Sequence, residues 1–138
     1  MRLGIVAAAA SLGVAALGAA AMAQPASPFP PGYEQAYRAY IAALPPAGRS
    51  LDWLTRLKGV ASQPADLTMG GLKLTYLFAC KEHGCDANNV NVFLMPDRRQ
   101  ARAVIRINGV QTLIGGAGPA EVACVKKLDA SGGTAATC

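Results

Sequence analysis

The sequence predicts an α+β fold, a single domain with an antiparallel sheet of about five strands flanked by helices. Two hairpin signals carry most of that prediction. Gly70-Gly71 and Asn108-Gly109 each separate short runs of strand-forming residues, the pattern of strands joined by tight turns. The third observation is a change of period: residues 33–44 and 119–128, which bracket the strand region, carry helical rather than alternating patterns.

The chain opens with Arg2 and then stays uncharged as far as Glu34. Ile5 to Gly18 is apolar, and Ala21-Met22-Ala23 fits a small-x-small cleavage pattern. This is the layout of a signal peptide over residues 1–23, with Gln24 as the expected mature terminus. Alanine and glycine dominate the run, which suits a cleaved signal better than a membrane span. No cysteine lies at the site to take a lipid anchor. Pro25, Pro28, Pro30 and Pro31 follow, and residues 24–32 read as an extended leader outside the core. The expected domain is residues 33–138. A chain of that size buries roughly two-thirds of its unfolded surface, so it can fold on its own core.

Within the domain, Tyr33, Ala36, Tyr37, Tyr40, Ile41 and Leu44 recur at helical spacing, and Pro45-Pro46 ends the helix. Aromatic rings at that spacing are expected in the core rather than on a sugar-stacking surface. Ser50 is the expected N-cap of a second helix over residues 51–58, with Gly59 as its stop. Trp53 is read as a core anchor. Strands are expected over residues 66–69, 72–79, 90–95, 102–107 and 110–114. In the second of these, Leu72, Leu74, Tyr76 and Phe78 share one face, and Lys73, Thr75, Leu77 and Ala79 share the other. In the fourth, Ala103, Ile105 and Ile107 point inward and Arg102 and Arg106 outward. The third helix, over residues 119–128, has Glu121 in its first turn and Lys126-Lys127 in its last, both favourable to the helix dipole. The Gly/Ala/Ser/Thr-rich tail reads as a loop.

Export would place the four cysteines in an oxidising compartment, where an even count favours two bridges. Cys80–Cys85 with Cys124–Cys138 is the expected pairing, because Cys138 would otherwise leave the tail loose. In the chain-entropy model the small ring adds only ~2 kcal/mol and the larger loop ~3 kcal/mol. The small ring is therefore better suited to fixing a loop's shape than to stabilising the domain. Cys80, His83, Cys85 and Cys124 are also a conceivable metal set, but a C-x₄-C spacing without a second Cys/His pair is a weak zinc signal.

Catalytic equipment is sparse. There is one histidine, no Gly-x-Ser-x-Gly and no Gly-x-Gly-x-x-Gly opening a helix after a strand. Gly115-Gly-Ala-Gly118 lacks the Lys-Ser/Thr of a phosphate loop and reads as turn glycines. An enzyme is not expected, nor is a cofactor, a metal or a nucleic-acid partner. Net charge is +5, a modest excess that could steer the chain toward anionic surfaces. Arg98, Arg99, Arg102 and Arg106 are the candidate residues for a cell-wall or envelope binding module.

One stretch stands apart. Cys80-Lys81-Glu82-His83-Gly84-Cys85 holds two cysteines and the only histidine. A bridge between its ends would put His83 near the apex of a small ring, and loops on rigid scaffolds often carry function. This stretch resembles the hallmark loop of the inhibitor of vertebrate lysozyme family, which reads Cys-Lys-Pro-His-Asp-Cys. The similarity extends at pattern level to Trp53-Leu54, to the strand entering Cys80 and to the strand after it, over roughly residues 33–128. Glu82 stands where the family has proline, and Gly84 where it has aspartate. The resemblance implies a periplasmic protein that inserts the loop into the active-site cleft of c-type lysozyme, with His83 bonding the catalytic carboxylates. It also implies related muramidases or the cell's own lytic transglycosylases as partners, a homodimer, and no membrane association after signal cleavage.

Overall fold

The computed structural model describes residues 27–138. The expected signal peptide lies outside the described residues, as do the first residues of the leader. The domain is built on an antiparallel sheet of six strands: β1 (Val60–Ala61), β2 (Ala65–Met69), β3 (Leu72–Cys80), β4 (Asn89–Leu94), β5 (Ala101–Ile107) and β6 (Val110–Ile114). β3 is the longest. β1 and β2 both pair with one of its edges, and β4, β5 and β6 follow in order on the other.

β1 and β2 together occupy one strand position, so the six strands fill five. The break is chemical. Pro64 has no N–H for the ladder. Ser62 fills the gap: its N–H donates to the Phe78 carbonyl at 2.9 Å, and its hydroxyl accepts from the Phe78 N–H at 3.0 Å. Both expected hairpins form. Met69 pairs with Leu72 and Ile107 with Val110, leaving two-residue turns. Gly70, Gly71, Asn108 and Gly109 all have positive φ, the geometry whose twist matches the flanking strands.

The sheet buries both faces. On one face Leu77, Ala79, Val90, Val92, Leu94, Ala103 and Ile105 meet α1 (Glu34–Ala43) and α2 (Asp52–Thr55) through Ala36, Tyr37, Tyr40, Leu44, Trp53 and Leu54. The aromatic stripe of the first helix is therefore core. Tyr37 and Tyr40 turn their hydroxyls to the Thr55 and Leu54 carbonyls of α2, at 2.8 and 2.7 Å. On the other face Leu74, Tyr76, Phe93 and Val104 meet Cys124, Val125 and Leu128 of α3 (Pro119–Ala130). The buried Asn91 side chain accepts a 2.6 Å hydrogen bond from the Tyr76 hydroxyl, which offsets its desolvation.

Four expectations are corrected. The leader is not wholly outside the core: Phe29 is buried against Tyr37 and Tyr40, at ring separations of 5.2 and 5.4 Å. Ser50 does not cap α2. Leu51 holds that position without a side-chain cap. Gly59 does not end α2 either, because the helix stops at Thr55 and Leu57 enters the left-handed region at φ 49°. Leu57 is buried in the core, so tertiary packing overrides helical propensity there. Arg102 does not point into solvent. Its Nη1 donates to the Glu121 carboxylate at 2.9 Å, and Glu121 is nearly fully buried.

Both disulfides form in the expected pairing, Cys80–Cys85 and Cys124–Cys138. The second docks the tail on β2. The Thr68 N–H donates to the Ala136 carbonyl at 2.9 Å, and the Thr68 carbonyl accepts from the Cys138 N–H at 2.8 Å. The tail thus pairs with groups of β2 that would otherwise stand open at the sheet's edge.

Candidate functional site

β3 delivers Cys80 to the end of the sheet, and β4 begins at Asn89. The nine-residue strand makes Cys80 a rigid foot for the loop: the residue is fully buried and pairs with both Val60 and Asn89. Its sulfur meets that of Cys85 across a Cα separation of 4.9 Å. Inside this ring the Lys81 carbonyl accepts from the Gly84 N–H at 3.0 Å. That bond closes a tight turn with Glu82 and His83 at its corner.

His83 sits in the left-handed region at φ 61°. Histidine tolerates it better than most residues, but a non-glycine residue there still costs about 1–3 kcal/mol. The ring of covalent and hydrogen bonds holds it in place. The His83 side chain is 91% exposed and that of Glu82 73% exposed. His83 Nε2 lies 3.6 Å from Glu82 Oε1, and a pair so open to water adds little stability. Gly84 lies outside the left-handed region, and a Cβ there would make ordinary contacts with Asn88 and Lys81. A side chain at position 84 therefore fits this backbone.

The loop is tied down from its C-terminal side. Asn88 is buried, binds the loop three times and joins it to the β5–β6 turn with a fourth bond. Its N–H and its Nδ2 donate to the Gly84 carbonyl at 2.9 and 3.3 Å, its carbonyl accepts from Lys81 N–H at 3.0 Å, and its Oδ1 accepts from Asn108 N–H at 3.0 Å. Asn89 Nδ2 donates to the Cys85 carbonyl at 2.8 Å. The Gly109 N–H donates to Ala87 O at 2.9 Å, so the β5–β6 turn props the same loop. On the opposite side Gly59, at φ 99°, passes so close that a Cβ would sit 2.7 Å from the Cys80 carbonyl oxygen.

The six residues singled out in the sequence form one cross-braced loop, with Cys80 buried at its foot and Lys81, Glu82 and His83 exposed. The sequence pattern does not single out Asn88, Asn89 or Gly59 as supports of this loop. Consecutive asparagines shortly after a cysteine are the signal that could have found the first two, since their amides bond local backbone carbonyls. All four cysteines are in disulfides, so none is available as a thiolate nucleophile or metal ligand. No family model matches this chain, and no curated protein matches it closely enough to count as a relative.

Three of the four arginines considered for an envelope-binding surface, Arg98, Arg102 and Arg106, have partners within the chain. Arg98 lies over the Tyr33 ring at 5.3 Å, Arg102 is tied to Glu121, and Arg106 Nη1 reaches the Asp86 carbonyl at 3.3 Å beside the loop. What the loop offers chemically is a pre-set imidazole with two nitrogens facing water, able to bond groups presented by another molecule.

Proposed function

We propose that the chain is an exported protein inhibitor of a peptidoglycan-cleaving glycosidase, with c-type lysozyme as its first candidate target. In this reading the Cys80–Cys85 loop enters the active-site cleft and His83 bonds the catalytic carboxyl groups. The observation that carries the proposal is the state of His83. It is 91% exposed and held at φ 61° on a disulfide-closed, hydrogen-bonded loop. A passive surface histidine has no need of such bracing. Rigidity lowers the ordering cost of binding.

The chemistry is complementary. A retaining glycosidase presents two carboxyl groups about 5 Å apart. One imidazole can engage both, and as a cation it donates to both. The resemblance of residues 80–85 to the lysozyme-inhibitor loop supports the same reading. Export by residues 1–23, a periplasmic location and homodimer formation belong to this proposal as well.

The test is inhibition of c-type lysozyme on a peptidoglycan substrate by the wild-type chain and by His83→Ala. A hot-spot histidine predicts an inhibition constant weakened about 30-fold, equivalent to ~2 kcal/mol. Equal inhibition by both proteins would remove His83 from the mechanism. Absence of inhibition by either would exclude c-type lysozyme and move the assay to lytic transglycosylases.

A further inference from the structure

The other recess that stands out lies away from the inhibitory loop. α1, Arg49-Ser50 and the α2 segment line an open groove of about 560 Å³. Three arginines line it, Arg38, Arg49 and Arg56, against a single acid, Asp52. None of the three has a carboxylate within ion-pairing distance among the described residues. Arg49 is oriented by the C-terminal end of α1. Its Nε donates to the Leu44 carbonyl at 3.2 Å and its Nη2 to the Ala42 carbonyl at 3.5 Å. The rest of its guanidinium remains free to bond a ligand. Tyr37 and the half-buried Ile41 supply an apolar wall, and the exposed Ser50 adds a hydroxyl.

Three arginines around one groove, one of them held by backbone bonds, suit an oxyanion with several acceptor oxygens. Guanidinium groups bind phosphate in fork geometry, with more directional bonds than an ammonium makes. The apolar wall suits a carbon skeleton attached to that anion.

We propose that this groove is a binding site for a phosphate group carried on a small organic skeleton, such as the glycerol phosphate of an anionic lipid headgroup. The site is independent of His83. It would let the protein bind such a ligand while the loop engages its own target.

Two probes separate the sources of that chemistry: glycerol 3-phosphate, followed by Trp53 fluorescence, and phosphatidylglycerol vesicles, followed by co-sedimentation against phosphatidylcholine vesicles. The variants are R38Q/R56Q in the groove and K126Q/K127Q on α3, which packs on the opposite face of the sheet and loses the same charge. Saturable binding of either probe that falls at least tenfold in R38Q/R56Q, and less than twofold in K126Q/K127Q and H83A, is the expected result. Glycerol 3-phosphate binding assigns recognition to the headgroup alone, whereas vesicle binding alone assigns it to the lipid surface. Equal losses in the two double variants would reduce the effect to net charge and overturn the site. Unchanged binding in R38Q/R56Q, or no binding of either probe, would also overturn it. Arg56→Lys keeps the charge and should lose part of the affinity while retaining the wild-type fold.

Discussion

Phe29 lies in a proline-rich stretch that composition alone assigns to a leader, yet it is only 5% exposed and sits edge-on to Tyr37 at 5.2 Å. Phe29→Ala separates these two views. Removing a fully enclosed phenylalanine costs about 3–5 kcal/mol, from lost transfer energy and the cavity left behind. Phe29 keeps 5% of its surface exposed rather than being fully enclosed, so the expected loss is at the low end, about 3 kcal/mol. Part of this comes from the ring contacts, since aromatic pairs add ~0.5–1.5 kcal/mol beyond their buried area. Urea denaturation followed by Trp53 fluorescence reads the change directly, because Trp53 belongs to the same core. A double-mutant cycle with Tyr37→Leu should show coupling, since the two rings touch. A loss below about 0.5 kcal/mol, the range of ordinary surface changes, would refute the argument and return residues 27–32 to the role of a leader.

Three further predictions concern the braces of the fold and the loop. Burial raises the Glu121 carboxyl's pKa, but hydrogen bonds from Arg102, Gly118 and its own N–H, with the nearby Arg102 charge, outweigh this and hold it below the usual carboxylate range. A group depressed on folding contributes stability above its unfolded pKa and loses it as pH falls through its folded value. Wild type should therefore lose more stability between pH 6 and 3 than Glu121→Gln does, as measured by urea midpoints (pH values chosen around the ordinary carboxylate pKa of ~4.3). Gly59→Ala forces a Cβ within 2.7 Å of the Cys80 carbonyl at φ 99°, and should cost about 1–3 kcal/mol while raising amide exchange in residues 81–85. Cys138→Ser frees the tail from β2 and should cost about 3 kcal/mol by the loop-closure model, seen as a lower thermal midpoint and faster proteolysis after Leu128.

The sequence makes the sheet legible because its turns are chemically explicit. Gly70-Gly71 and Asn108-Gly109 demand positive φ, and once those corners are placed the alternating strands between them have little freedom. The loop is legible for a similar reason: paired cysteines around a lone histidine mark a covalent boundary. The same local reading fails where distant packing decides. Nothing near Phe29 announces that Tyr37 and Tyr40 will enclose it. Nothing near Ser50 shows that Leu57 will leave the helix to reach the core. Arg102 reads as outward because alternation gives only the face of the sheet, and α3 covers that face with Glu121. Asn88 is the same case at the site: its Oδ1 bond to Asn108 joins residues 20 apart in sequence.

The central claim is that the Cys80–Cys85 loop occupies a glycosidase's catalytic cleft. Calorimetric titration of the chain into c-type lysozyme, with the cleft either free or saturated by a saccharide, tests it most directly. The account predicts binding to the free enzyme and an apparent affinity that falls as the saccharide concentration rises, as competition for one cleft requires. Affinity unaffected by the saccharide, or no binding to the free enzyme, would contradict it.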